Sequence, residues 1–213
     1  MVLSLPVLSV PVMPVPALAQ SAHTHQHSFE GAEKWAQVFD DPERDAWQRP
    51  HEVIAALGLA PDAVVADIGA GTGYFSVRLA HFLPRGHVYA VDTEPDMVKY
   101  LQERAQREKL ARMTAVAAAA DDPRLPEKVD LVLMVDVFHH IEDRPQYLKR
   151  LRSYLRPHAR VAVVDFNQAS RMGPPPAARI APERVRSDFE QAGYKLLQRP
   201  DILKEQYFMV FGL

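Results

Sequence analysis

Val64-Val65-Ala66-Asp67-Ile68-Gly69-Ala70-Gly71-Thr72-Gly73-Tyr74 is the stretch whose reading decides the fold. An apolar run of strand length ends in an acid and breaks into glycines at alternate positions. Beyond them Phe75, Leu79 and Phe82 recur at helical spacing. The segment reads as strand, tight turn, helix. Without a Cβ, glycine lets the main chain reach positive φ and lets a ligand lie directly against it. In the dinucleotide fingerprint the spacing is G-x-G-x-x-G, and the turn cradles a pyrophosphate. Here it is G-x-G-x-G, with Tyr74 standing where the third fingerprint glycine falls when the count begins at Gly69.

Working outward, strand and helix signals alternate from Ala63 onward, which argues a parallel α/β sheet. His87 to Asp92 is the next strand, again ending in an acid. Pro95 opens a helix that puts Met97, Val98, Leu101 and Ala105 on one face. A strand near Met113 to Ala117 follows. Val129 to Val135 is almost wholly apolar, as a strand covered on both faces is. Arg144 to Leu155 reads as a helix, Arg160 to Phe166 as a strand, and about Pro182 to Ala192 as a helix. Tyr194 to Gln198 and Gln206 to Phe211 close the chain as a hairpin-like pair. Upstream, Phe29 to Phe39 has amphipathic helical spacing, residues 40–50 read as a polar loop carrying Trp47, and His51 to Leu57 as a short helix stopped by Gly58 and Pro61.

With 213 residues, 47% hydrophobic and 24% charged, the chain can bury one sizeable core. A formal charge of −2 leaves no electrostatic footprint for nucleic acid, so no nucleic-acid partner is expected. The absence of cysteine excludes disulfides, thiolate nucleophiles and thiolate metal sites. Residues 2–19 carry no charge, yet Pro6, Pro11, Pro14 and Pro16 break any helix long enough for a stable membrane span. They end Ala17-Leu18-Ala19-Gln20, so residues 1–19 read as a secretory signal peptide without its basic start, implying export to the periplasm; a tail on a cytoplasmic protein is the alternative. Residues 20–28 form a His-rich linker in which His23, His25 and His27 alternate. They read as solvated linker or as transition-metal chelator, and no metal ligand is assigned.

The alternate glycines, with Asp67 just before them and Asp92 closing the next strand, resemble the first two motifs of class I S-adenosylmethionine-dependent methyltransferases. The resemblance runs over roughly residues 50–213, and its general look is that of the ubiquinone/menaquinone-biosynthesis type. It implies a Rossmann-like α/β fold, a seven-stranded sheet flanked by helices with the last strand antiparallel. It divides the chain into an N-terminal helical lid (29–58) and a catalytic domain (59–213). It further implies S-adenosylmethionine as cofactor and in-line methyl transfer to a small molecule.

Carried over residue by residue, the resemblance places the donor against Asp67, Gly69, Ala70, Gly71, Thr72, Gly73, Asp92, Thr93, Met97, Ala120, Asp121 and Asp136. Asp92 would accept from the ribose hydroxyls, Asp67 would lie near the methionine part and Asp121 near the adenine amino group. His140 is the candidate base, since neutral imidazole takes a proton near neutral pH; His139, Trp47 and Arg49 are candidates on the acceptor side. Tyr74, Trp47 and Phe138 are aromatic candidates for the sulfonium. One departure is Leu155-Arg156-Pro157-His158-Ala159, where the family usually has two glycines. A Rossmann oxidoreductase using NAD, and an exported non-catalytic nucleoside- or metal-binding protein, are the alternatives.

Overall fold

The computed structural model describes residues 31–213. The readings of residues 1–19 and 20–28 lie outside the described residues. Three helices come first: α1 (Ala32–Phe39), α2 (Arg44–Gln48) and α3 (Pro50–Ala56). Then β1 (Val64–Ile68), α4 (Tyr74–Phe82), β2 (His87–Asp92), α5 (Pro95–Arg107), β3 (Met113–Ala117) and β4 (Val129–Val135) alternate. The chain closes with α6 (Arg144–Leu151), β5 (Leu155–Phe166), α7 (Pro182–Gln191), β6 (Lys195–Gln198) and β7 (Gln206–Gly212). No helix among the described residues is long and apolar enough to cross a membrane.

The strands form one seven-stranded sheet in the order β3-β2-β1-β4-β5-β7-β6, with β7 antiparallel to both its neighbours. Because strand side chains alternate between faces, each central strand feeds two cores. Val65, Leu131, Leu133 and Val164 pack beneath Ile54, Leu57, Leu79 and Leu101. Ala66, Val132, Met134 and Val163 pack beneath Leu148, Leu151, Val185 and Phe189. Phe189 anchors the second layer, stacked on Phe211 with ring centroids 3.8 Å apart. Burial of a side chain of that size is worth roughly 1.5–3 kcal/mol.

The register brings the acids together. Asp67 of β1 lies opposite Ala90 of β2 and Leu133 of β4, so the strand ends carrying Asp67, Asp92 and Asp136 are adjacent. Strand order reverses between β1 and β4, and in open α/β sheets the crevice at such a reversal is where ligands bind.

The structure corrects the local reading in two places. Residues 40–50 contain α2, whose five residues are too few to show a helical period. The helix after β4 ends at Leu151, a short 3-10 turn covers Arg152–Tyr154, and β5 begins at Leu155, earlier than the predicted Arg160. A register shift between the Val129–Leu155 and Leu131–Arg160 pairs accommodates the extra residues. His158 supplies the bend at φ 65°, the left-handed conformation a family glycine would take without strain. His158→Gly is therefore expected to stabilise the protein by about 0.5–1 kcal/mol, and His158→Val to destabilise it. Urea unfolding midpoints at unchanged slope check both.

Candidate functional site

The turn after β1 carries the backbone the sequence implied: Gly69, Gly71 and Gly73 all have positive φ. A Cβ at Gly69 would collide with Val137, and one at Gly71 would stand 3.3 Å from the Phe39 ring. Asp92 closes the turn from below. One of its oxygens accepts from the Gly71 amide at 2.8 Å and the other from Glu94 N at 3.0 Å, and the residue is buried. Burial raises its pKa.

Asp67 accepts from Ser76 Oγ of α4 at 2.6 Å and is buried. Desolvation pushes its pKa up to about 6 against the opposing pull of Ser76 and Arg44. Asp136 follows β4 at φ 58°, a conformation that costs a non-glycine residue about 1–3 kcal/mol and recurs at functional sites. Its carboxylate accepts from Gln48 Nε2 at 3.0 Å and from Gln206 Nε2, with Arg44 Nη2 3.6 Å away. Burial pushes it up to about 7, although Arg44 lowers it.

Arg44, Gln48 and Gln206 were not singled out in the sequence, and neither was Arg104. Arg104 donates to Asp40 Oδ2 at 2.8 Å and to the Thr72 carbonyl at 2.9 Å, so one side chain of α5 holds both the N-terminal segment and the glycine turn. Gly31 N donates to Asp96 at 3.0 Å at the start of α1. Residues 31–49 thus form a strap across the ends of β1, β2 and β4. Arg44 donates to the Phe39 carbonyl at 2.8 Å and to Gln48, and its guanidinium lies 4.1 Å from the Tyr74 ring centre.

Beside this cluster is a buried His–Asp pair. His139 Nδ1 lies 3.0 and 2.9 Å from the two oxygens of Asp165 at the end of β5, and both side chains are almost fully covered. An ionised carboxylate only accepts, so Nδ1 carries the proton and the lone pair stands on Nε2. His140, the sequence candidate, is exposed, with its ring 4.1 Å from that of His139. His139 thus has an orienting acid 26 positions away that appears only in the fold. Tyr207, on β7, is buried with no partner for its hydroxyl among the described residues; burial, with Asp165 and Asp136 as the next causes, raises its pKa.

Other candidates stand apart from this cluster or are already engaged. Asp121 is exposed and tied to Arg150 at 2.5 Å, and Ala120 and Thr93 are exposed. Met97 is buried in α5. Trp47 packs on Phe166, with centroids 5.9 Å apart, and Arg49 faces Glu52 at 3.1 Å and the Ile202 carbonyl at 2.7 Å. Arg44 and Arg78 cover the Tyr74 ring at 4.1 and 3.9 Å, and Phe138 is fully buried against Phe189. The aromatic candidates are therefore committed to packing in this closed arrangement.

A cavity of about 390 Å³ lies where Gly58, Asp62, Arg156 and His158 meet and shares no residue with the cluster. A second, of about 340 Å³, is lined by Asn167, Arg199, Leu203, Gln206 and Tyr207 and adjoins it. Two features fit a cationic nucleoside at the turn: the acids held largely out of water call for positive charge, and Thr72 Oγ1 is buried with no partner among the described residues. In this closed arrangement Val137, Phe39 and Leu101 cover the three glycines, so a ligand reaches the backbone once these side chains move aside.

Comparison with known proteins agrees. Residues 59–206 match the methyltransferase-domain family. A solved S-adenosylmethionine-dependent methyltransferase from Aquifex aeolicus superposes with a TM-score of 0.79 and 26% identity, over 84% of this chain and 97% of that one. A 2-phytyl-1,4-naphtoquinone methyltransferase of Trichormus variabilis is 29% identical over 114 residues, 52% of this chain and 50% of its own length. A malonyl-[acyl-carrier protein] O-methyltransferase of Methylococcus capsulatus is 32% identical over 111 residues, 52% of this chain and 40% of its own. Across such curated relatives the chain spans between 23% and 50% of their length.

The raised acids make stability depend on pH. A carboxyl whose folded pKa exceeds its unfolded value holds its proton more tightly in the fold, so its contribution is full below pH 4 and falls as pH rises through the folded value, about 7 for Asp136. Each unit of that gap is worth about 1.4 kcal/mol. Asp136→Asn removes the ionisation, so its stability relative to the parent should rise between pH 4 and pH 8. Urea midpoints across that range check this.

Proposed function

The chain belongs to the methyltransferase-domain family, the class I S-adenosylmethionine-dependent fold, and from that premise we propose that it methylates a small-molecule acceptor. The observation that carries the reading is the convergence of Asp67 and Asp92, both buried, and of the half-buried Asp136 on a glycine turn with positive φ at each glycine. An NAD site would bring phosphates to this turn, where buried carboxylates would repel them. A sulfonium nucleoside carries no phosphate and is attracted.

When bound, the donor supplies a methyl group already activated by the positive sulfur. The protein's own task is then alignment, worth up to roughly 7–11 kcal/mol, and exclusion of water. Asp92 grips the sugar and keeps the turn shaped through Gly71. The strap, with the helix that follows it, forms an N-terminal lid over residues 31–58 and covers the turn through Phe39. His139, its imidazole oriented by Asp165, accepts the acceptor's proton at Nε2. The cavity beside Gln206 and Tyr207 is the acceptor's approach. The quinone and acyl-carrier-protein names of the relatives favour an oxygen or carbon acid whose proton must leave. Ala17-Leu18-Ala19 supports export of this enzyme to the periplasm.

Calorimetry separates this reading from its competitors: S-adenosylhomocysteine should bind at micromolar concentration and NADH should not. If neither ligand binds, the non-catalytic alternative gains; if only NADH does, the oxidoreductase does. With labelled donor and a fractionated metabolite extract as acceptor source, His139→Ala should lower labelled product about 10²–10⁴-fold while S-adenosylhomocysteine affinity stays within about 2-fold. Unchanged product formation would remove His139 from the proton path.

A further inference from the structure

Asp165 of β5 lies directly opposite Tyr207 of β7 in an antiparallel pair. Partners in such a pair project from the same face with Cβ atoms about 4.5–5.5 Å apart, so the phenol of Tyr207 stands beside the carboxylate that holds His139. That face also carries Phe138, Val163 and Met209. Tyr207 is only 4% exposed, and its hydroxyl oxygen is buried with no hydrogen-bond partner among the described residues. Asp165 does not serve it, because both carboxylate oxygens are taken by His139 Nδ1 and by the amides of His139 and Phe166. Buried polar groups are nearly always paired, so a hydroxyl left open beside a charged pair calls for a partner from outside the chain. The residue borders the cavity of about 340 Å³, together with Pro200, Leu203 and Phe208. Burial raises the pKa of the phenol, so it keeps its proton and can donate it in a hydrogen bond.

A group seated between His139 and Tyr207 meets a proton acceptor on one side and a hydrogen-bond donor on the other. A hydroxyl oxygen has one hydrogen and two lone pairs. It can give the hydrogen to Nε2, accept from Tyr207 with one pair and keep the other for the methyl group. An amine nitrogen has a single lone pair, which cannot both accept and attack, and a carbon acid has none. Sulfur is a weak acceptor. We propose that Tyr207 is a specificity residue that donates to the reacting oxygen of a hydroxyl acceptor, which makes the reaction an O-methylation. Phenolic and enolic hydroxyls suit it best, since neutral imidazole takes their proton far more readily than that of an alkyl alcohol. This rests on the methyl-transfer reading above and narrows its acceptor to one class.

Tyr207→Phe removes one oxygen and leaves the ring to pack. The test supplies the full-length protein with labelled donor and a fractionated metabolite extract, and locates the labelled atom by mass spectrometry. The label is expected on the oxygen of an aromatic or enolic hydroxyl. In Tyr207→Phe that product should fall about 10–100-fold. S-adenosylhomocysteine affinity should stay within about 2-fold, and the urea midpoint should be unchanged or higher, because the group removed was buried and unpaired. A hydroxyl that served packing alone would not lower turnover while sparing both stability and donor affinity. Label on nitrogen, carbon or sulfur overturns the proposal and leaves the methyl-transfer reading standing. Undiminished product in Tyr207→Phe overturns it too, since the hydroxyl would then hold nothing but water. A lowered urea midpoint in that variant also overturns it, because the hydroxyl would then brace the fold. Failure of the unsubstituted protein to bind S-adenosylhomocysteine would instead defeat the methyl-donor reading.

Discussion

Negative charge held largely out of water at the ends of three adjacent strands is the constraint on which the rest of this structure depends. Asp67, Asp92 and Asp136 stand at the C-terminal ends of β1, β2 and β4; the first two are buried and the third is half-buried. Taking a carboxylate out of water is costly, so each recruits whatever can offset it. Asp92 uses main-chain amides, Asp67 the Ser76 hydroxyl, and Asp136 two glutamines with Arg44 at a distance. A fold optimised for stability alone would place apolar side chains at these positions. Keeping acids there, one of them in a left-handed conformation, is the signature of a site kept ready for a cation.

The strap follows from the same constraint. Its helices are short and its hold on the body is polar: Arg104 to Asp40, Gly31 to Asp96, Arg44 and Gln48 to Asp136, Arg49 to Ile202. Contacts of this kind exchange with water at little net cost, so residues 31–49 can open without disturbing the two apolar layers beneath. Phe39 lying on Gly71 and Arg104 bonded to the Thr72 carbonyl couple strap and turn, so a ligand in the turn is felt by the strap. The His139–Asp165 pair lies beyond Asp136, where β5 ends beside β4.

Much of this was legible in the amino-acid sequence, and the reasons are local. Apolar runs such as Val129 to Val135 and the alternate glycines at 69, 71 and 73 express their structure within a few residues, so strand, turn and sheet class could be read directly. The terminal acids Asp67 and Asp92 carried the same signal. What could not be read depends on partners far along the chain. Preference for His139 over His140 comes from Asp165, and nothing between them in sequence announces the pair. Arg44 sits in a run of charged residues with no period, where every arginine looks like a surface residue until Asp136 and Tyr74 are brought beside it. The early start of β5 was hidden by Pro157 and His158, which read as a turn although the strand continues through them across a shift in register.

The central claim is that the glycine turn and its acids hold a sulfonium nucleoside beneath the strap. A crystal structure of the full-length protein grown with S-adenosylhomocysteine tests it most directly. The account predicts ribose hydroxyls within hydrogen-bond distance of the Asp92 carboxylate, with the thioether between the turn and Asp136. A nucleoside found elsewhere, or a turn still filled by Phe39 and Arg44 at saturating ligand, would contradict it.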